Sequence, residues 1–167
     1  MRLAAASIEI GPLNRDHDRR GFDCGVDGLN RYIWEQARQD ESRGIARLFV
    51  ATAVGSPSAI LGFYTLSAAA ISPANLSPEF ARRMPRHAVP AALVGRLAVD
   101  RRHAGQGLGG ILLADAVLRA EVASEVIGIA VIVVDPLDEP ARQFYRRFGF
   151  SDAAGAAQMY LVRKLKR

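Results

Sequence analysis

Apolar and polar residues alternate with a period of two from Ser7 to Leu13, SIEIGPL, which predicts a half-buried first strand. The period then lengthens. After Phe22-Asp23-Cys24-Gly25, the residues Leu29, Tyr32, Ile33, Trp34 and Ala37 fall on or near one helical face, with Asp27 as the expected N-cap. Leu48 to Val54 and Ala59 to Ala70 are rich in strand-forming residues and are joined by Gly55-Ser56-Pro57-Ser58, turn chemistry that predicts a hairpin. From Ile71 to Pro90 the period is lost. Pro73, Pro78, Pro85 and Pro90 break regular structure, and Arg82, Arg83, Arg86 and His87 make this excursion basic.

Order returns at Leu93 to Val99, an apolar strand followed by a basic turn, a run of glycines and a helical pattern over Leu108 to Val126. Gly128 to Val134, GIAVIVV, is a continuous apolar run of the kind a strand covered on both faces shows. Asp138 then caps a short helix whose first turn tolerates Pro140; this helix carries Phe144 and Tyr145 and ends near Gly149. Met159 to Leu165 makes a last strand with a basic tail, Arg163 to Arg167. The order β, α, β, β, β, α, β, α, β predicts an α/β fold. With no repeat or linker in the pattern, one domain over residues 1–167 is expected.

Candidate chemistry concentrates in the strand-to-helix turn. Gly105, Gly107, Gly109 and Gly110 fall within six positions, so the backbone can take positive φ and approach a ligand closely. N–H groups of a first helical turn lack intrahelical acceptors and carry the positive end of the helix dipole, so phosphate is the expected guest, with Arg101 and Arg102 adding mobile positive charge. A nucleoside-triphosphate loop is disfavoured because no Lys-Ser/Thr follows the glycines. In a dinucleotide fold an acidic residue stands about 20 positions on; Glu121 and Glu125 lie there, but on the predicted helix itself.

Composition narrows the setting. Of 167 residues half are hydrophobic and 23% charged, an ordinary globular balance. Cys24 is the single cysteine, and His17, His87 and His103 are scattered, so neither a disulfide nor a metal is expected. No apolar run reaches the roughly 18 to 20 residues of a membrane span and no signal-peptide pattern opens the chain; a cytoplasmic location and no membrane partner are expected. The net charge is +5, and arginine supplies 20 of the 22 basic residues. Such a surface attracts polyanions, or it is a solvated face of a chain whose composition favours arginine; composition leaves both open.

Arg102-His103-Ala104-Gly105-Gln106-Gly107 resembles the Arg/Gln-x-x-Gly-x-Gly/Ala pyrophosphate loop of the GCN5-related N-acetyltransferase (GNAT) family, with Leu97-Ala98-Val99 as the strand before it. Ala141, Phe144, Tyr145, Gly149 and Phe150 match the family's Ala-x-x-Phe-Tyr-x-x-x-Gly-Phe segment downstream. The resemblance implies a mixed central sheet, splayed in the middle, with helices on both faces, and acetyl-CoA as cofactor. It assigns cofactor contacts to Leu97, Ala98 and Val99, to the loop from Arg102 to Gly107, to Leu108, Gly109 and Gly110, and to Asp138 and Phe144. Tyr145 is implied as the catalytic residue that meets the leaving thiolate.

Phe22 to Asn30, Leu48-Phe49-Val50, Gly62 to Leu66 and Gly95-Arg96-Leu97-Ala98-Val99-Asp100 are similar to the toxin branch of that family. This resemblance implies acetylation of the α-amine of aminoacyl-tRNA, inhibition of translation, neutralisation by a ribbon-helix-helix antitoxin, and a homodimer. No Glu or His stands in the central strand to deprotonate an amine. A lysine near pKa 10.4 would be less than about 0.1% neutral at pH 7, and an α-amine near 7.7 to 8.0 about 10%, which favours the α-amine. Arg82, Arg83, Arg86, Arg96, Arg142, Arg146 and Arg147 are the expected tRNA contacts. Asp135-Pro136 and Pro140 depart from the family pattern and bear on the local cofactor contacts. An acetyltransferase for a small amine or protein N-terminus, and a non-catalytic acetyl-CoA-binding regulator, remain the alternatives.

Overall fold

The computed structural model describes residues 7–163, so residues 164–167, the end of the expected last strand and most of the basic tail, lie outside the described residues. The strands are β1 (Ile8–Pro12), β2 (Arg47–Ala53), β3 (Gly62–Ile71), β4 (Val89–Val99), β5 (Val131–Val134), β6 (Ser151–Asp152) and β7 (Met159–Val162), in spatial order β1-β2-β3-β4-β5-β7-β6. The helices are α1 (Asp27–Arg31), α2 (Ala37–Ser42), α3 (Pro78–Ala81), α4 (Leu108–Ala123) and α5 (Glu139–Arg147). The mixed α/β fold expected from the sequence is present. The residues form two compact units, one the chain up to Ser67 with Arg96–Val117, the other Ala68–Gly95 with the chain from Leu118 onward; β3 and β4 pass through both.

In the first unit β2 and β3 pair antiparallel with Phe49 opposite Tyr64, as the hairpin chemistry predicts, and β1 pairs antiparallel with β2, with Ile8 opposite Ala53. Successive strand residues face opposite sides. Phe63 joins Phe22, Tyr32, Ile33, Leu48 and Val50 in a core under α1 and α2, while Gly62 lies under Leu108 and Leu112 of α4. Tyr64, on the Gly62 side, donates its hydroxyl proton to Asp115 of α4 at 2.6 Å. Helices therefore cover both faces of β3 in this unit. A Cβ at Gly62 would come within 2.7 Å of Leu112 Cδ1 and 2.9 Å of the Ala98 carbonyl, so this close approach requires glycine.

Two expectations for the first helix change. Its N-cap is Val26, without a side-chain cap, and Asp27 is the first helical residue, where its charge meets the helix dipole. Between α1 and α2 the chain takes a π turn, Tyr32–Gln36. Arg19 Nη1 donates to the Ile33 and Trp34 carbonyls at 3.3 and 2.9 Å, supplying partners where the regular ladder is interrupted.

In the second unit β4 and β5 run parallel with Ala91 to Val94 against Val131 to Val134, and β5 pairs antiparallel with β7. All four residues of β5 are buried, as its continuous apolar run predicts. The excursion is more ordered than its prolines suggest: Ser72 and Ser77 accept N–H groups from Ala74 and Phe80 and cap two short turns. Leu76 between them is buried, Asn75 Nδ2 donates to the Ala154 carbonyl, and the Ser77 N–H donates to the Tyr160 hydroxyl. β4 starts at Val89, earlier than the expected Leu93, and the short β6 has no counterpart in the sequence pattern. No helix of the described residues is long and apolar enough to cross a membrane.

Candidate active site

The glycine turn begins on a buried carboxylate. Asp100 directly follows β4 with its side chain at 0% exposure and accepts the Asp23 N–H at 3.1 Å, the Arg102 N–H at 2.9 Å, and Nε and Nη2 of Arg102 at 2.9 Å each. Burial alone would raise its pKa; the hydrogen bonds from Arg102 and Asp23 outweigh it and hold the carboxyl at about 2. Arg102 Nη2 also donates to the Gly21 carbonyl, and Arg101 pairs with Asp23 at 2.8 Å. Neither arginine is therefore the mobile charge expected beside the loop. Their guanidinium groups face carboxylates within hydrogen-bond reach, which tie residues 21–25 to residues 100–102. The sequence signalled Asp100 only as the end of a motif; its burial and its partner 77 residues away could not be read there.

Beyond that anchor the backbone is arranged for an anion. Gly105 and Gly107 have φ of 74° and 85°, and a Cβ at either would meet nothing within 4 Å, so the loop borders open space. The N–H groups of Gly105, Gln106 and Gly107 have no acceptor among the described residues, and Leu108, Gly109 and Gly110 begin α4, where first-turn N–H groups lack intrahelical acceptors. Leu108 itself is buried, so its side chain packs while its main chain serves the turn. His103 is half-buried in the preceding turn and Ala104 is exposed. This loop fits a pyrophosphate by main chain and dipole rather than by side-chain charge.

β4 offers a second main-chain edge. Arg96 donates its N–H to Thr65 Oγ1 and Asp100 its N–H to the Leu61 carbonyl, so even-numbered residues here point toward β3. Leu97 and Val99 then present N–H and C=O in the opposite direction, past Val94 where the pairing with β5 ends. Ala98 lies between them with its side chain in the first unit's core.

Tyr145 stands on α5 in the second unit, packed edge-on against Phe144 at 5.2 Å and Phe150 at 5.5 Å. Asp138 caps this helix by accepting the Ala141 N–H at 2.9 Å, so its carboxylate has a structural partner. Burial, and then the charge of Asp135, push the Tyr145 phenol up to about 12. Its hydroxyl makes no hydrogen bond among the described residues, and the residue is 6% exposed. The hydroxyl is not one of the fully buried unpartnered polar atoms, so it keeps access to solvent as a protonated donor.

The expected tRNA arginines divide. Arg96 lies with its guanidinium carbon 3.8 Å from the centre of the Tyr32 ring, and Tyr32 donates its hydroxyl proton to Asp40. Arg142 and Arg146 both pair with Asp152, at 2.7 and 2.8 Å, and Arg146 also reaches Glu139, which fastens α5 to β6. Arg82, Arg83, Arg86 and Arg147 are exposed.

A mixed sheet whose fourth strand leads through a positive-φ glycine turn into a helix is the arrangement expected of an acyl-CoA-dependent acyltransferase. The profile of the acetyltransferase (GNAT) domain matches residues 44–152, and the chain belongs to that family. A tRNA-acetylating toxin of Mycobacterium tuberculosis (strain ATCC 25618 / H37Rv) is 37% identical over 133 residues, 80% of this chain and 78% of the relative. The solved structure of AtaT complexed with acetyl-methionyl-tRNAfMet superposes with a TM-score of 0.87 at 29% identity, covering 93% of this chain and 94% of that one. A tyrosine-to-phenylalanine mutant of the AtaT toxin, bound to acetyl-CoA and the C-terminus of its antitoxin AtaR, gives 0.78 at 27% identity, covering 93% and 91%.

Proposed function

We propose that this chain is a toxin that transfers acetyl from acetyl-CoA to the α-amino group of aminoacyl-tRNA, blocks translation, and is neutralised by a cognate antitoxin. The observation that carries the reading is the uncommitted N–H array from Gly105 to Gly107 at the head of α4, in a chain whose curated relative is a tRNA-acetylating toxin. The matched residues 44–152 run through both compact units, in keeping with one catalytic domain. A ribbon-helix-helix fold for the antitoxin, a homodimeric toxin and a cytoplasmic location complete the proposal.

Bound acetyl-CoA supplies a thioester open to amine attack, with a thiolate as leaving group. In this assignment the loop from Arg102 to Gly110 holds the pyrophosphate, and the main chain of Leu97 and Val99 receives the pantetheine amides. Asp138 and Phe144 border the cofactor from α5. Tyr145 donates a hydrogen bond to the developing thiolate. With the phenol at about 12 and a thiol near 8.5, complete transfer in the ground state would be uphill by about 5 kcal/mol, so stabilisation of negative charge by a shared proton carries the effect. Arg82, Arg83, Arg86, Arg96 and Arg147 meet tRNA phosphates, and Arg142 and Arg146 do so from within their pairs with Asp152.

The test is transfer of labelled acetyl from acetyl-CoA to total charged tRNA by wild type and Tyr145→Phe. The expected result is label on the aminoacyl end and a fall in kcat of about 10²- to 10³-fold in the variant, with acetyl-CoA affinity unchanged. Label on small amines or protein N-termini and none on tRNA would replace the substrate class. Equal turnover by both proteins would remove Tyr145 from the chemistry.

A further inference from the structure

A cleft of about 690 Å³ opens in the first unit, between the segment after β1, the C-terminal part of α2, and the start of β2. Arg15, Arg38, Arg43 and Arg47 line it. All four are exposed, and none of their guanidinium groups has an ion-pair or hydrogen-bond partner among the described residues. The one acid on the lining is Glu41, whose Oε1 already accepts the Leu48 N–H at 3.0 Å.

These four differ from the chain's ion-paired arginines. Arg101, Arg102, Arg142, Arg146 and Arg163 each face a carboxylate within 3.2 Å. Around the cleft like charge accumulates instead, with Arg15, Arg38, Arg43 and Arg47 on one lining. Four guanidinium groups against one engaged carboxylate form a concave field that draws in polyanions.

We propose that this cleft binds the phosphodiester backbone of RNA and gives the tRNA substrate a contact surface separate in sequence from the arginines that follow α3 and those of α5. The inference rests on the aminoacyl-tRNA reading and extends it to residues that no motif marked. An acidic protein segment is the competing occupant, and the lining disfavours it. Protein interfaces gain most of their affinity from apolar anchors seated in apolar pockets, and the one large apolar side chain here, Leu13, is itself buried in the core. Nucleic-acid interfaces are polar, strongly positive and served by guanidinium forks that match phosphate oxygens.

The experiment uses the full chain and the variant Arg43→Ala/Arg47→Ala, whose side chains are outside the catalytic machinery. Binding of labelled deacylated total tRNA is titrated across a series of salt concentrations, with acetyl-CoA affinity measured alongside and polyglutamate as an acidic-peptide probe. The expected result is a dissociation constant raised about tenfold near 0.15 M salt, and a dependence of log K on log salt shallower by roughly 1.5 to 2, two phosphate contacts having been lost. Acetyl-CoA affinity stays within about twofold. Wild-type binding of tRNA matched by the variant in affinity and slope would overturn the cleft while leaving the substrate reading in place. Loss of polyglutamate binding with tRNA binding kept would give the cleft to an acidic protein. Wild type that neither binds nor acetylates tRNA would remove the reading on which the cleft rests.

Discussion

Replacing Asp100 by Asn tests whether the glycine turn is held by its buried carboxylate. The carboxylate accepts four hydrogen bonds, two from main-chain N–H groups and two from the Arg102 guanidinium, with its own side chain at 0% exposure. An amide keeps the shape, removes the charge, and turns an NH2 group toward donors. Because the Arg102 side chain is 68% exposed, the released guanidinium finds water, and the loss is smaller than for a pair buried on both sides. Hydrogen bonds to a charged group contribute about 1.5 to 3 kcal/mol net, which sets the expected destabilisation at about 2 kcal/mol. The depression of the carboxyl from 3.8 to about 2 by these same hydrogen bonds corresponds to the same order. For a chain of this length that lowers Tm by about 4 to 8 °C. The sign with pH follows from a folded pKa below the unfolded one: the contribution is complete above about pH 4 and is lost as pH falls toward 2. Thermal melts of wild type and variant from pH 7 to pH 2, with acetyl-CoA titrations at pH 7, read all of this. Wild type and variant should converge in acid, and the variant should bind acetyl-CoA several-fold more weakly. Equal melting at pH 7, or a gap that persists unchanged to pH 2, would refute the role assigned to Asp100.

Acetylation rate should rise with the deprotonation of an α-amine near pH 8 and hold level to about pH 10, because a phenol at about 12 stays protonated throughout; an alkaline fall centred between 9 and 10 would contradict the environment assigned to Tyr145. Gly62→Ala should cost about 1 to 3 kcal/mol in urea unfolding, since the Ala98 carbonyl 2.9 Å from the added methyl is backbone, whereas Gly28→Ala, on α1 with nothing within 4 Å, should stabilise by about 0.5 to 1 kcal/mol; equal effects would void the packing assigned to β3 and α4.

Several elements were legible in the sequence because their causes are local. Strand-forming runs joined by turn residues mark the hairpin of β2 and β3, and Asp138 with Pro140 marks the start of α5 within one residue. The glycines at 105 and 107 declare positive φ wherever they are placed. The residue types of the candidate site, from Leu97 to Gly110 with Tyr145, could be named before any coordinate. What the sequence could not contain is who meets whom across long separations. The bond of Asp23 to Asp100, that of Tyr64 to Asp115 and that of Ser77 to Tyr160 all require segments brought together by folding. A list of arginines is uniform on paper. Tertiary structure neutralises some against carboxylates and leaves Arg15, Arg38, Arg43 and Arg47 around one cleft, because periodicity and turn chemistry act over a few residues while electrostatic pairing depends only on distance in space.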